Sequence, residues 1–394
     1  MTQPLDNIRI LDFSWVLAGP YATRVMADFG AEVIKVQSDT TTVNDSSNLT
    51  AYFNVWNRSK LGISLNLSKD EGVDIAKRLV SLSDVVVENY SPRVMDNWGL
   101  DYQALRLVKP DIIMLSLSGV GHTGIFRDRV AFGATIQALS GLTGLTSHSD
   151  QHPSGLGYSH ADHVAGLMAA LSILEALEYR RKTGIGQYID LSEYESMTSL
   201  MGVILMECIS NQHVTRSDGN GPGHLNAAPH NVYRCKGEDR WCAIGVFSSE
   251  QWHAFCQVIG NPGWIKENRF ATSVGRRKNA SELDCLIEEW TKQYTPEEVM
   301  ERLQAKGVPA GVVQDARDLS LDIQLKDRGF YREIDHPILG PIMLDSTPIK
   351  LSQIEAEYDR AAPGFGQDNI YVYHDILGMS MTEIEENICE GIIS

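Results

Sequence analysis

Ile8-Arg-Ile-Leu-Asp-Phe13, the stretch from Gly19 to Gly30, and Glu32-Val-Ile-Lys-Val36 together decide the fold. The outer two are short apolar runs of strand length, and the middle one reads as a helix bounded by glycines. A strand, a helix and a second strand in such quick succession predict parallel pairing, because parallel neighbours need a crossover between them. The rhythm continues outward. A helix is expected near Lys69 to Leu82, with strands at Asp84-Val-Val-Val-Glu88 and Asp111-Ile-Ile-Met-Leu-Ser116. A long helix around His163 to Arg181 stops at Thr183-Gly-Ile-Gly186, and a strand follows at Gln187 to Leu191, then an apolar helix from about Glu193 to Ile209. This pattern predicts an α/β fold, a doubly wound, mostly parallel, Rossmann-like sheet with helices on both faces. Ligands of such sheets bind beyond the carboxyl ends of the strands.

A chain of 394 residues is long for a single core, so two domains are expected. Ser217-Asp-Gly-Asn-Gly-Pro-Gly223 is the clearest break. Residues 1–215 therefore read as the large α/β domain. Residues 225–330 read as a smaller α+β domain, with strands near Asn231 to Arg234 and Trp241 to Val246. Its helices are expected near Glu250 to Ile259, Ser281 to Gln293 and Pro296 to Lys306. Residues 340–394 form a C-terminal segment with a final helix near Thr382 to Cys389.

The net charge of -17 argues against a nucleic-acid partner, which demands a basic face. It also sets a condition: an anionic ligand requires local Lys or Arg to overcome the global field. The longest apolar run, Val164 to Leu174, is too short to span a bilayer and runs into Glu175 and Glu178, so no membrane association is expected. Six widely spaced cysteines without a Cys-x-x-Cys pair read as reduced, mostly buried thiols, and the start of the chain lacks a signal-peptide pattern. Both point to a cytoplasmic location.

Two segments carry candidate chemistry. Gly119-Val-Gly-His-Thr-Gly124 follows a strand and matches the glycine pattern of dinucleotide folds. No acidic residue stands near the position about twenty residues on where a ribose needs one, and Ile125-Phe-Arg-Asp-Arg129 is a poor helix start, so a loop at a strand end is the stronger reading. Tyr158-Ser-His-Ala-Asp-His-Val-Ala-Gly166 opens the long helix. Ser159-x-x-Asp162 fits a capping box, and the same position favours an ionised carboxylate able to attack an electrophile. Gly166, one turn on, leaves space beside that carboxylate for a ligand. Spacing alone leaves both readings of Asp162 open. Gly-x-Ser-x-Gly, His-Glu-x-x-His and phosphate-loop patterns are absent, and the eleven histidines lack metal-ligand spacing.

Several blocks resemble, in order, those of the class III CoA-transferase family. They are Leu11-Asp-Phe-Ser-Trp-Val-Leu-Ala-Gly-Pro20, Gly30-Ala-Glu-Val-Ile-Lys35, Val87-Glu-Asn-Tyr-Ser-Pro92 and Ser116-Leu-Ser-Gly-Val-Gly121. The Asp162 block, Arg181-Lys-Thr-Gly-Ile-Gly-Gln187 and Leu303-Gln-Ala-Lys-Gly-Val-Pro309 extend the likeness over essentially the whole chain. The resemblance implies a catalytic Asp162 that forms an acyl anhydride and then an aspartyl-CoA thioester, with the backbone at Gly121 near the reacting carbonyl. It implies coenzyme A contacts at Val16, Asn57, Lys60, Asn89, Tyr90 and Arg93, and an acyl pocket at Trp15, Leu17, Phe132 and Gly133. Arg93 and Lys60 are then the local positive charge.

The same resemblance implies a coenzyme A thioester as substrate and no permanently bound cofactor or metal, with an acyl-CoA and a small carboxylic acid as partners. Donors such as succinyl-CoA are within its range. It further implies that residues 340–394 complete the large domain and that two chains interlock, as a homodimer or as a heteromer with a subunit of the same family. Racemases of the family carry a His where this chain has Phe132, which speaks against the alternative of an acyl-CoA α-carbon racemase; a non-catalytic subunit is the other alternative. Leu17 and Gly133 replace polar residues of some relatives and predict a larger, aromatic or branched acid. Gln37 replaces a glutamate and puts one nucleotide-side contact in question.

Overall fold

The computed structural model describes residues 2–38, 48–147, 152–215, 217, 219–221, 226–358 and 360–394. The chain divides into two compact units: residues 1–143, 155–214 and 324–394 form one, and residues 144–154 and 215–323 the other. Of the break expected at Ser217 to Gly223, residues 217 and 219–221 are described, and the boundary between the units falls just before them, at 214/215.

The larger unit is built on six parallel strands. They are β1 (Arg9–Asp12), β2 (Glu32–Gln37), β3 (Lys60–Ser64), β4 (Val85–Glu88), β5 (Ile113–Ser118) and β6 (Tyr188–Ser192). Their order is β3-β2-β1-β4-β5-β6, so the direction of winding reverses between β1 and β4. Central strands of a sheet covered on both faces are apolar throughout, and β4 is buried at all four positions. Successive residues feed opposite cores: Leu11, Ile34 and Val86 join one cluster, while Ile10, Val33, Val85 and Val87 join the other.

The helices follow from the same logic. α1 (Ala18–Ala27) crosses from β1 to β2, and α2 (Ala51–Asn57) precedes β3. α3 (Asp70–Ser81) buries Gly72, Ile75, Ala76, Leu79 and Val80, a stripe at helical spacing, and starts on Asp70 and Glu71 where the helix dipole favours acids. Short α4 (Val94–Asn97) and α5 (Tyr102–Val108) lead to β5, and α6 (Gly133–Leu139) and α7 (Leu142–Leu145) follow it. The long α8 (His160–Thr183) ends on Gly184 in the left-handed conformation at φ 73°, the usual glycine stop. The helix expected from Glu193 to Ile209 breaks at Met201 into α9 (Glu193–Leu200) and α10 (Gly202–Asn211).

Gly166 corrects an expectation. A Cβ there would lie 2.8 Å from the Ala18 carbonyl oxygen and 3.0 Å from Tyr21. The glycine serves the close approach of α8 to α1, and the space beside it holds another helix, not a ligand.

The smaller unit has an antiparallel sheet of β7 (His230–Arg234), β8 (Trp241–Gly245) and β9 (Ala310–Val312). Around it lie α11 (Ser249–Val258), α12 (Ser273–Lys278), α13 (Ala280–Thr291) and α14 (Pro296–Gln304). α14 opens with a capping box between Thr295 and Glu298 and has Pro296 in its first turn. In the larger unit, the C-terminal residues Ile384, Ile392 and Ile393 enter the cluster containing Leu11, and Asn66 N–H donates to the Ile392 carbonyl at 2.8 Å. All six cysteines are free, but Cys208, Cys285 and Cys389 are exposed, so only half are buried. Among the described residues no helix is long and apolar enough to cross a membrane, and no cluster of His, Cys, Asp or Glu could hold a metal.

Candidate active site

The chain leaves β1 and β4 side by side, at the point where the winding reverses. There Asn89 Oδ1 accepts from the Trp15 amide at 2.8 Å, and Asn89 Nδ2 donates to the Trp15 carbonyl at 2.9 Å. These reciprocal bonds fix the turn into α1. Val16 in that turn has φ 63°, a conformation that costs a β-branched residue about 1–3 kcal/mol and persists only where the surroundings impose it. The turn leaves Trp15 and Val16 exposed and sends Leu17 inward, where it is 2% accessible. Leu17 lines neither cavity described below.

Beneath this turn lies a buried ionic cluster. Asp12 accepts from Ser14 N, Thr23 Oγ1 and Lys60 Nζ, the last at 3.1 Å, and Lys35 Nζ stands 3.6 Å from its other oxygen. Burial pushes the Asp12 carboxyl up, but Lys35 and Lys60 outweigh it and hold the group well below the usual carboxylate range. Lys60 gives its remaining donors to Pro20 O and Asn57 Oδ1, both at 3.0 Å. It is wholly inaccessible, and burial lowers it to about 7 against the pull of Asp12. Lys60 thus spends its three N–H groups on Asp12, Pro20 and Asn57.

A cavity of about 260 Å³ opens over the carboxyl ends of β4 and β5. One wall is Trp15, Val16, Asn89 and Tyr90. Another is Leu117, Ser118, Gly119 and Val120. Arg127, Arg129, Val130 and Phe132 form a third, and Asp162 and Glu193 complete the lining. A second cavity, of about 250 Å³, shares Trp15, Val16 and Tyr90 with the first and reaches Gln37 and Asn57.

Asp162 sits in the first turn of α8. The expected capping box is not formed: Ser159 is the N-cap residue but makes no capping bond. Asp162 Oδ2 is buried with no hydrogen-bond partner, in the lining of the cavity. Burial raises its pKa, opposed by its own backbone N–H, by His163 and by the Ser159 hydroxyl. Gly133, the first residue of α6, stands against it, since a Cβ there would lie 2.1 Å from Asp162 Oδ2. That glycine makes room for the aspartate itself.

Gly119-Val-Gly-His-Thr-Gly124 is a loop, and no helix follows before α6. Gly121 takes φ 87°, and the loop is tied to β6 by Asp190, which accepts from His122 N at 2.8 Å and Thr123 Oγ1 at 3.1 Å. Gly119 lines the cavity and Gly121 does not. Arg93 also lies outside both cavities, where its exposed guanidinium bonds Asp128 at 3.1 Å.

Sequence reasoning missed three lining residues. Arg127 and Arg129 supply the positive charge expected from Lys60 and Arg93, and the Arg129 guanidinium rests 3.5 Å from the Phe126 ring centre. The Arg-x-Arg spacing in so acidic a chain was the available signal. Glu193, the first residue of α9, is 7% accessible, and burial together with the charge of Asp162 pushes its carboxyl up to about 8.

Comparison with known proteins places this geometry in context. CoA-transferase family III matches residues 5–369. Succinyl-CoA--D-citramalate CoA-transferase of Chloroflexus aurantiacus is 33% identical over 97% of this chain and 96% of its own. Human succinyl-CoA:glutarate CoA-transferase is 29% identical, over 99% of this chain and 90% of its own. The crystal structure of a CAIB/BAIF family protein from Brucella suis superposes with a TM-score of 0.88 at 29% identity, covering 95% of this chain and all of that one.

Proposed function

The chain belongs to CoA-transferase family III and is a CoA-transferase, and from that premise we propose that Asp162 is its covalent nucleophile. In this reading the Asp162 carboxylate attacks the donor thioester carbonyl. The C–S bond breaks, and coenzyme A leaves as its thiolate. The thiolate then attacks the Asp162 carbonyl of the anhydride, expelling the donor acid as a carboxylate and leaving an aspartyl-CoA thioester. The acceptor carboxylate attacks that thioester, and the thiolate returns to the acceptor carbonyl, freeing Asp162. No proton is gained or lost over the cycle, and one difficult exchange becomes a series of easier ones.

The observation that carries the reading is the unpartnered Asp162 Oδ2 in a cavity that also holds two arginines. Buried polar atoms are normally bonded, so an orphan oxygen on a side chain that lines a cavity supports a carboxylate kept free for a ligand. Arg127 and Arg129 meet the need for local positive charge against the net -17. Val16 and Tyr90, which line both cavities, and Asn89, which lines the first, are the proposed pantetheine contacts, with Asn57 and Gln37 farther along. Gly121 acts by shaping the loop that presents Gly119.

Succinyl-CoA is the proposed donor, as in the names of the two relatives. Trp15, Val130 and Phe132 around the cavity support a larger apolar acceptor acid. Exposed Leu167, Met168, Leu171 and Leu174 on α8, with Val203, Met206 and Ile209 on α10, support assembly with a second copy or a same-family subunit. Six free cysteines support a reducing, cytoplasmic setting.

The test is chemical trapping. Hydroxylamine added during turnover is expected to convert Asp162 to a hydroxamate detectable by mass spectrometry, and Asp162→Ala is expected to abolish exchange. Undiminished turnover by that variant rules the mechanism out.

A further inference from the structure

The cavity holds a second carboxyl group that the exchange chemistry does not use. Glu193 opens α9 directly after β6, in a position where Ser192 caps the helix through the Glu195 amide. Its side chain is 7% accessible, and it lines the same cavity as Asp162. Two carboxylates confined in one small cavity do not both ionise readily; one keeps a proton.

Asp162 is the one that ionises first. Its own backbone N–H, the Ser159 hydroxyl and His163 all favour its charged form. Glu193 has only burial and the Asp162 charge acting on it, and both favour the protonated form. The other groups facing the cavity are Tyr90, Arg127 and Arg129, and none of them acts on Glu193 strongly enough to reverse this. Of the elements packed on α9, α6 brings no titratable side chain. Asp190 of β6 is bonded to the glycine loop, and Glu207 of α10 pairs with His213 at 3.3 Å.

We propose that Glu193 is a catalytic residue that stays protonated and donates a hydrogen bond to the carbonyl oxygen undergoing exchange at Asp162. This rests on the reading of Asp162 as nucleophile. Each step of that cycle develops negative charge on a carbonyl oxygen, and a fixed donor in a water-poor site stabilises it. Glu193 transfers no proton: the O–H bond persists, while the C–O and C–S bonds form and break at Asp162. A neutral carboxylic acid is suited to this task because it donates without placing a second anion beside the first.

The experiment measures kcat against pH for the full-length enzyme and two variants, with hydroxylamine trapping at Asp162 in each. Wild-type kcat is expected to fall as the pH rises through about 8, where Glu193 ionises. Glu193→Gln, whose amide donates at any pH, is expected to stay within about threefold of wild type and to lose that alkaline limb. Glu193→Ala is expected to lose about 100-fold in kcat, the scale of removing one such donor. An Ala variant with wild-type kcat and pH profile overturns the inference, as does a Gln variant as inactive as the Ala variant while retaining the wild-type melting temperature. If wild-type enzyme gives no hydroxamate at Asp162, the nucleophile assignment has failed instead.

Discussion

Gly133 and the Asp162 carboxylate cannot both carry their usual atoms: a Cβ on Gly133 would stand 2.1 Å from Asp162 Oδ2. The N-terminal end of α6 is therefore shaped around the aspartate on α8. The displaced group is the tip of a flexible side chain, so an added methyl moves the carboxylate and leaves the helices in place. Gly133→Ala is expected to fold with an unchanged or slightly higher melting temperature, since alanine favours the helix. Its kcat should fall about 100-fold, the cost of misplacing a reacting group by about 1 Å. Wild-type turnover by this variant would show that the carboxylate position seen here is not the working one.

Arg127 and Arg129 are the cationic lining of an acidic molecule's cavity. Charge-assisted bonds contribute about 1.5–3 kcal/mol each, so Arg127→Gln and Arg129→Gln should each raise KM for an anionic substrate at least tenfold. The effect on kcat should be smaller, and the difference between variant and wild type should shrink at high salt. Steady-state kinetics at two ionic strengths, run separately on donor and acceptor, shows which of the two each arginine serves.

Lys60 distinguishes a coenzyme contact from a structural ion. All its donors are taken by Asp12, Pro20 and Asn57. Removing one member of a buried charge pair costs about 3–5 kcal/mol, so Lys60→Met should lower the urea midpoint sharply. The fraction that remains folded should keep a KM for acyl-CoA within about twofold of wild type, because the lysine has no donor left for a phosphate. A large rise in KM with no loss of stability would restore the coenzyme-binding role.

Such buried charge explains where the sequence was and was not legible. Runs such as Asp84-Val-Val-Val-Glu88 announce themselves because a strand covered on both faces must be apolar, and the strands at Ile8 to Phe13, Glu32 to Val36 and Asp111 to Ser116 were equally plain. β3 was not anticipated: Lys60-Leu-Gly-Ile-Ser64 carries a lysine and a glycine, and the charge of Asp12, distant in sequence, with the oxygens of Pro20 and Asn57 makes the lysine tolerable inside. The apolar pattern from Glu193 to Ile209 gave no sign of the break at Met201. Asp162 was legible through family likeness, and its local pattern misled, because Ser159-x-x-Asp162 fits a capping box that does not form. Glu193 was hidden for a related reason. An acid at the start of a helix reads as a response to the dipole, and nothing in its neighbours reveals the cavity it faces.

Glu88 gives a pH test that is independent of catalysis. It ends β4, is inaccessible, and burial pushes its carboxyl up to about 7 despite the bond it accepts from the Tyr90 amide. Asp96 and Asp190 push it the same way. His122 Nε2 stands 3.6 Å from Glu88 Oε1, and burial lowers the imidazole pKa, so the pair does not behave as a firm ion pair near neutrality. In the unfolded chain the carboxyl titrates near 4.5. Between these values the folded state holds the proton more tightly, so the contribution of Glu88 is complete below about 4.5 and is lost as the pH rises through about 7. The loss amounts to about 3 kcal/mol at one pKa unit per 1.36 kcal/mol. Glu193 acts with the same sign up to about 8, so the wild-type slope alone does not isolate Glu88. The difference between wild type and Glu88→Gln does, because the Glu193 contribution cancels. Urea unfolding from pH 4.5 to 8 should show the variant gaining on wild type by about that amount, mostly between pH 5 and 7. A difference that stays flat across this range would place the ordinary titration of Glu88 in the folded state and remove the buried acid from behind the glycine loop.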